Sequence, residues 1–264
     1  MKKQNSNIDP LVYALAGVIF ILGAVSFYYR SSNTIEVKSK SEESSNKKVV
    51  GNASSSVQTK NNSSNLKADT TSTALKLDFD LLNGNTKIFD FKDDDKFFGT
   101  NLSIKFPARM SSAPGDKKRT IRKLAILDDD HSEFRCVINF QPMNIASSTF
   151  QEKRNALNKK SIAKNLQLLG AELHHFEIID VVEDVFVANE PASYGEYYCE
   201  NLKTDGADRI NSMCRNYFFF YRGGFATVQF YLDSRSLDKT EVLQSFEGYK
   251  RVINRMINSV ELYN

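Results

Sequence analysis

The sequence lacks the short motifs that announce common chemistries. It contains no H-E-x-x-H, no G-x-S-x-G, no Walker A loop and no G-x-G-x-x-G, so no zinc-protease helix, nucleophile elbow or phosphate-cradling loop is written locally. Only three histidines occur among 264 residues, which leaves little material for a hidden triad. Tryptophan is absent, and three cysteines permit one disulfide at most. A large excess of one charge is missing too: the formal net charge is +3, small and dispersed, and nucleic acid is not an expected partner. No catalytic residue, metal or cofactor is expected.

Long hydrophobic runs are absent with one exception, Leu11 to Tyr29, an uncharged stretch near the N-terminus. At 1.5 Å of rise per residue, such a helix nearly crosses a hydrocarbon core of roughly 30 Å. It ends in Phe27, Tyr28, Tyr29 and Arg30, which suits a helix end at the headgroups and fits an A-x-A cleavage site poorly, so it is expected to stay attached as a single span. Lys2 and Lys3 favour a cytoplasmic tail over residues 1–10, against the weaker pull of Arg30, Lys38 and Lys40. Residues 30–74 are rich in Ser, Asn, Lys and Thr and nearly devoid of apolar side chains. They cannot bury enough surface to offset ordering, so a disordered linker is expected, with a reach of roughly 35 to 40 Å. The globular domain is then residues 75–264.

Within that domain, Leu75, Leu77, Phe79 and Leu81 alternate with polar residues, and Asn83-Gly84-Asn85 follows, which reads as an opening hairpin into Ile88 to Phe91. Leu102, Ile104 and Phe106 form a strand stopped by Pro107. A strand pair follows, Thr120 to Leu127 and Phe134 to Gln141, turning across Asp128-Asp129-Asp130-His131, whose spacing matches neither a calcium loop nor a zinc site. The capping box Thr149-Phe150-Gln151-Glu152 opens one helix expected to run to Gly170, with Ile162, Leu166 and Leu169 inward and Lys153, Lys160 and Lys164 forming a basic stripe outward. Leu173 to Val182 is strand-like. Ala192 to Leu202, Met213 to Arg222 and Phe225 to Leu232 read as successive antiparallel strands, the last two joined at Gly223-Gly224. Tyr217 to Tyr221 is aromatic on both parities, which implies a sheet covered on both faces. A final helix capped by Asp238 carries Val242, Phe246, Tyr249, Ile253 and Met256 inward, and Val260 to Leu262 forms a closing strand.

This order of elements, with Val187-Ala188-Asn189-Glu190-Pro191-Ala192 and the ending Ile257-Asn258-Ser259-Val260-Glu261-Leu262, resembles the PsbP-like family over about Leu102 to Leu262. That family includes the extrinsic photosystem II subunit, Ran-binding Mog proteins and membrane-anchored bacterial proteins. The resemblance implies an α+β fold, an α/β/α sandwich on a mainly antiparallel sheet, and binding or assembly work more often than catalysis.

Cys199 and Cys214 flank a loop whose midpoint falls between Gly206 and Ala207, so a symmetric hairpin sets them opposite each other and a cross-strand disulfide is expected in an oxidising compartment. Cys136 shares parity with Phe134, Ile138 and Phe140 and is expected to be an inert core thiol. Lys153, Lys160 and Lys164 are the candidate binding residues, for an anionic ligand or an acidic protein. The expected function is a membrane-tethered, non-catalytic binding or assembly module of the bacterial envelope. It would be held in the inner (cytoplasmic) membrane by one span, with the C-terminal domain periplasmic or extracytoplasmic and a protein partner in the envelope. An envelope hydrolase and an immunity or chaperone-like factor are the alternatives.

Overall fold

The computed structural model describes residues 66–91, 101–115, 120–127, 132–142, 149–171, 173–202, 209–221 and 224–263. The run Leu11 to Tyr29, most of the expected linker and the Asp128 to His131 turn lie outside these residues. Among the described residues no helix is long and apolar enough to cross a membrane.

The chain orders its elements as α1 (Leu66–Leu82), β1 (Thr86–Phe91), β2 (Asn101–Pro107), β3 (Ser111–Pro114), β4 (Thr120–Leu127), β5 (Ser132–Pro142), α2 (Phe150–Ala156), α3 (Lys159–Gly170), β6 (His174–Val187), β7 (Glu190–Leu202), β8 (Arg209–Tyr221), β9 (Gly224–Ser234), α4 (Lys239–Asn258) and β10 (Glu261–Tyr263). Seven strands form an antiparallel sheet in the order β3-β4-β5-β9-β8-β7-β6, and a smaller sheet runs β1-β2-β10. The fold is α+β, with helices on both faces of the large sheet. On one side Met213, Tyr217 and Phe219 of β8 pack with Ala74 and Leu77 of α1 and with Phe246, Ile253 and Met256 of α4. On the other, Cys214, Phe218 and Phe220 pack with Ala156, Leu157, Ile162 and Leu166. The aromatic run on β8 is buried at both parities because each face has its own core.

The caps carry much of the local definition. Thr149 and Asp238 each form a capping box, with Glu152 and Glu241 respectively bonding back to the cap amide. At the far end of α4, the Ser259 hydroxyl accepts from Lys105 N at 3.0 Å and donates to Met256 O at 2.7 Å, which pins β10 beside β2.

Several expectations are corrected. Residues 66–82 form a helix rather than the end of a linker and an opening strand. Their apolar residues fit period two, but Ala74, Leu77 and Leu81 also share a helical face, the segment from Ala74 has no β-branched residue, and α4 offers a surface for that face. Asn83 and Gly84, at φ 81°, end this helix instead of turning a hairpin, and Asn83 Nδ2 donates to Phe79 O at 2.9 Å. The single helix from Thr149 to Gly170 is two, because Asn158 acts as a second N-cap, its Oδ1 accepting from Ser161 N at 2.9 Å. The β8–β9 hairpin pairs Tyr221 with Gly224, whereas a turn on Gly223-Gly224 pairs Tyr221 with Ala226, a register difference of two residues.

The expected disulfide is also absent. Leu202 pairs with Arg209, so Cys199 lies opposite Ser212 and Cys214 opposite Tyr197. The two cysteines share a face but sit two register positions apart, on a diagonal of about 7 to 8 Å. That is beyond the usual span of a disulfide. All three cysteines are buried and none is in a disulfide.

Candidate functional site: an aromatic groove beside the β6–β7 hairpin

The β6–β7 hairpin turns on Ala188 and Asn189, both with positive φ (50° and 66°), and Val187 pairs with Glu190 across it. This tight turn, of the kind that twists with its strands, brings Pro191, Ala192 and Ser193 up beside Val185 and Phe186. Upstream, the pairing shifts register between Val182 and Val185, and Asp184 takes φ 60° at the irregularity. A bulge on an edge strand re-aims side chains, and here it turns Asp184 towards α2.

Arg154 of α2 meets that carboxylate with two bonds, Nε to Oδ1 at 2.5 Å and Nη2 to Oδ2 at 2.7 Å. The paired guanidinium holds the Asp184 carboxyl below its ordinary range, and the carboxylate raises Arg154 in turn. Beside this clasp Phe150, the first residue of α2, stacks on Phe186 with ring centroids 6.4 Å apart and planes at 24°. Both rings are more than half exposed. Together with Leu157, Val185, Pro191 and Ala192 they line a cavity of about 110 Å³. Sites for drug-sized ligands and cofactors usually hold about 300 to 1,000 Å³, so this one has room for a single apolar side chain.

The groove lacks an acid or base poised for chemistry. The Ser193 hydroxyl donates to the Leu157 carbonyl, and Asp184 is occupied by Arg154. On the opposite face of the sheet, Glu196 and Arg215 form a buried pair, with Lys250 of α4 3.3 Å from Glu196. Arg215 also reaches Asn254 at 3.1 Å and lies 4.7 Å from the Tyr194 ring centroid. Burial pushes the Tyr194 and Tyr217 phenols upward, so both remain neutral hydroxyls. This cluster fastens α4 to the sheet.

Of the residues singled out from sequence, Lys153 pairs with Glu190 at 2.7 Å at the rim of the groove. Lys160 and Lys164 are exposed on α3, a different helix, so the three do not form one continuous stripe. Cys136 is a core thiol whose titration is pushed far upward by burial. His174 and His175 are exposed. Among the described residues no three His, Cys, Asp or Glu side chains converge as a metal site. Phe150 and Arg154 stand inside the expected helix, and Phe186 lies between the strand-like run Leu173 to Val182 and the Val187 to Ala192 motif. Sequence reasoning did not bring them together, since the contact depends on the bulge at Asp184.

No family model and no curated protein matches the chain. Among solved structures it is similar to LpqN, involved in cell envelope biogenesis of Mycobacterium tuberculosis, at 9% identity and a TM-score of 0.39, covering 70% of this chain and 95% of that one. It is similar to the cyanobacterial PsbP (CyanoP) of Synechocystis at 10% identity and a TM-score of 0.41, covering 67% and 92%. It is similar to the Ran-binding protein Mog1p of Saccharomyces cerevisiae at 10% identity and a TM-score of 0.40, covering 67% and 95%. The PsbP and Mog proteins are those of the family that the sequence motifs resemble, and a likeness at this level transfers neither partner nor residue role to this chain.

Proposed function

We propose that the chain is a membrane-tethered, non-catalytic binding module of the bacterial cell envelope, whose groove between α2 and the β6–β7 hairpin takes one apolar side chain of an extended protein segment. The carrying observation is the stacked, exposed Phe150–Phe186 pair over a cavity of about 110 Å³. Two adjacent phenyl rings left open to water are costly unless covered, because each half-buried ring still exposes apolar area at about 25 cal/mol per Å². The cavity volume favours a side chain over a free metabolite, and the rim supplies matched charge: Arg154 with Asp184, and Lys153 with Glu190. The tether is the run Leu11 to Tyr29 read as an N-in span, which puts the domain in the periplasm.

The test places a photoreactive phenylalanine at Phe186 in the full chain in its own membrane, with a matching probe at Lys164 as control. The expected result is a discrete adduct from Phe186 alone, mapping to an apolar residue of the partner and lost with Phe150→Asp. Equal adducts from both positions, or an adduct indifferent to Phe150→Asp, would overturn the groove as the docking surface.

A further inference from the structure

Helix α1 buries Ala74 and Leu77 against the core, yet its opposite face is apolar too. Leu75, Phe79 and Leu82 follow the i, i+4, i+7 spacing of one helical stripe and are 60%, 61% and 51% exposed. On the next strand Ile88 is 62% exposed, while its neighbour Phe89 packs against the core. Nothing in the fold of the described residues requires these side chains to be apolar.

The charges around the stripe are cationic. Lys76 lies beside it and is exposed. At the flanks Arg109 reaches Asp80 at 3.1 Å, Arg251 reaches Asp78 at 3.1 Å, and Arg255 also bonds Asp78. Asp78 and Asp80 are buried, whereas the Arg109 and Arg251 side chains are more than half exposed and keep guanidinium edges open to water. Three arginines and one lysine thus stand against two aspartates. α1 is also the first described element after the expected span: residues 30–65 separate Tyr29 from Leu66, and the linker expected there from sequence would reach roughly 30 to 36 Å. A second copy is a poor occupant, since three side chains on one helix fall well short of the ~800 Å² per partner of a standard interface.

We propose that the outer face of α1 lies on the membrane surface, with Leu75, Phe79 and Leu82 at the headgroup–acyl boundary and Lys76, Arg109 and Arg251 facing anionic lipid phosphates. This rests on the reading of Leu11 to Tyr29 as a bilayer span. Interfacial helices with an apolar stripe and basic flanks bind in this way, and their binding grows with anionic lipid. The tether confines the domain near the bilayer, so a weak contact suffices.

The test uses the full chain reconstituted into vesicles of phosphatidylcholine alone and of phosphatidylcholine with about a third phosphatidylglycerol. A nitroxide is attached at Leu82→Cys, the native cysteines being buried. In the anionic vesicles the label is expected to lose collisions with an aqueous nickel reagent and gain collisions with oxygen. Lys76→Gln should lower the docked-to-undocked ratio about fivefold there, from the loss of one charge near the surface. The pair Leu75→Asp and Phe79→Asp, at exposed positions, should return the label to water. A label equally open to nickel in both vesicle types overturns the inference, as does protection with spin–spin broadening in both, which assigns the face to a second copy. Alkaline carbonate extraction reads the tether separately. Release of the chain overturns the span and this inference with it, whereas a retained chain with an unprotected label overturns this inference alone.

Discussion

Removing the Glu196 charge by Glu196→Gln isolates what holds α4 to the sheet. The carboxylate is buried between Arg215 of β8 and Lys250 of α4. In Glu196→Gln the amide keeps the shape, but the buried Arg215 guanidinium loses its counter-charge and is left with neutral partners: the new amide oxygen, Asn254, the Tyr217 hydroxyl at 3.4 Å and the Tyr194 ring. Breaking a buried pair from one side costs about 3–5 kcal/mol, because the surviving charge stays desolvated. The partly exposed Lys250 adds little, since solvent screens it and Glu247 is at hand. Set against a total of about 5–15 kcal/mol for an ordinary domain, the loss is about a fifth of the stability or more. The assay is urea unfolding of the full chain in detergent micelles, followed by far-ultraviolet circular dichroism and, in the absence of tryptophan, tyrosine fluorescence. The double variant Glu196→Met/Arg215→Met should recover most of the loss, as both charges leave together. A Glu196→Gln cost below about 1 kcal/mol, typical of a surface pair, would refute the reasoning, and so would a double variant that costs the sum of the singles.

Three further outcomes are expected. All three cysteines should resist a thiol reagent in the folded protein and all three should titrate after unfolding without reductant, whereas a single reactive thiol in the unfolded chain would restore the disulfide. Gly195→Ala should destabilise by about 1–3 kcal/mol, because its new Cβ falls 2.3 Å from Leu166 Cδ1 and this fully buried side chain must shift within its packed site; a Tm equal to that of the parent would contradict this close approach. The Tyr198 phenol is pushed up to about 12, first by burial and then by Glu200. Its folded value lies above the ordinary one, so its contribution to stability is complete below about 10 and is lost as pH rises through about 12. Spectroscopic titration of Tyr198→Phe against the parent should show the missing phenol among the late-ionising ones, and loss of an early one would count against it.

What the sequence determined by itself is what short-range forces decide. The capping boxes at Thr149 and Asp238, the strand stopped at Pro107, the two-sided burial of Tyr217 to Tyr221 and the inward face of α4 were all legible, because caps and apolar periodicity act over a few residues. Tertiary structure alone decided where two local solutions were nearly equal or where distant partners had to meet. Leu75 to Leu81 satisfies strand and helix periods alike, and contact with α4 selects the helix. The register of β7 on β8 follows from pairing thirteen-residue strands within the seven-stranded sheet, and it moves Cys199 and Cys214 two register positions apart whatever the symmetry of the loop. Of the groove, Lys153 and the Glu190-Pro191-Ala192 step could be named in advance. The Phe150–Phe186 stack and the Arg154–Asp184 clasp could not, because they arise when a bulge turns an edge strand towards a helix thirty residues earlier in the chain. Pairings of that range carry no local signal; they exist only once the sheet has formed and brought the edge and the helix together.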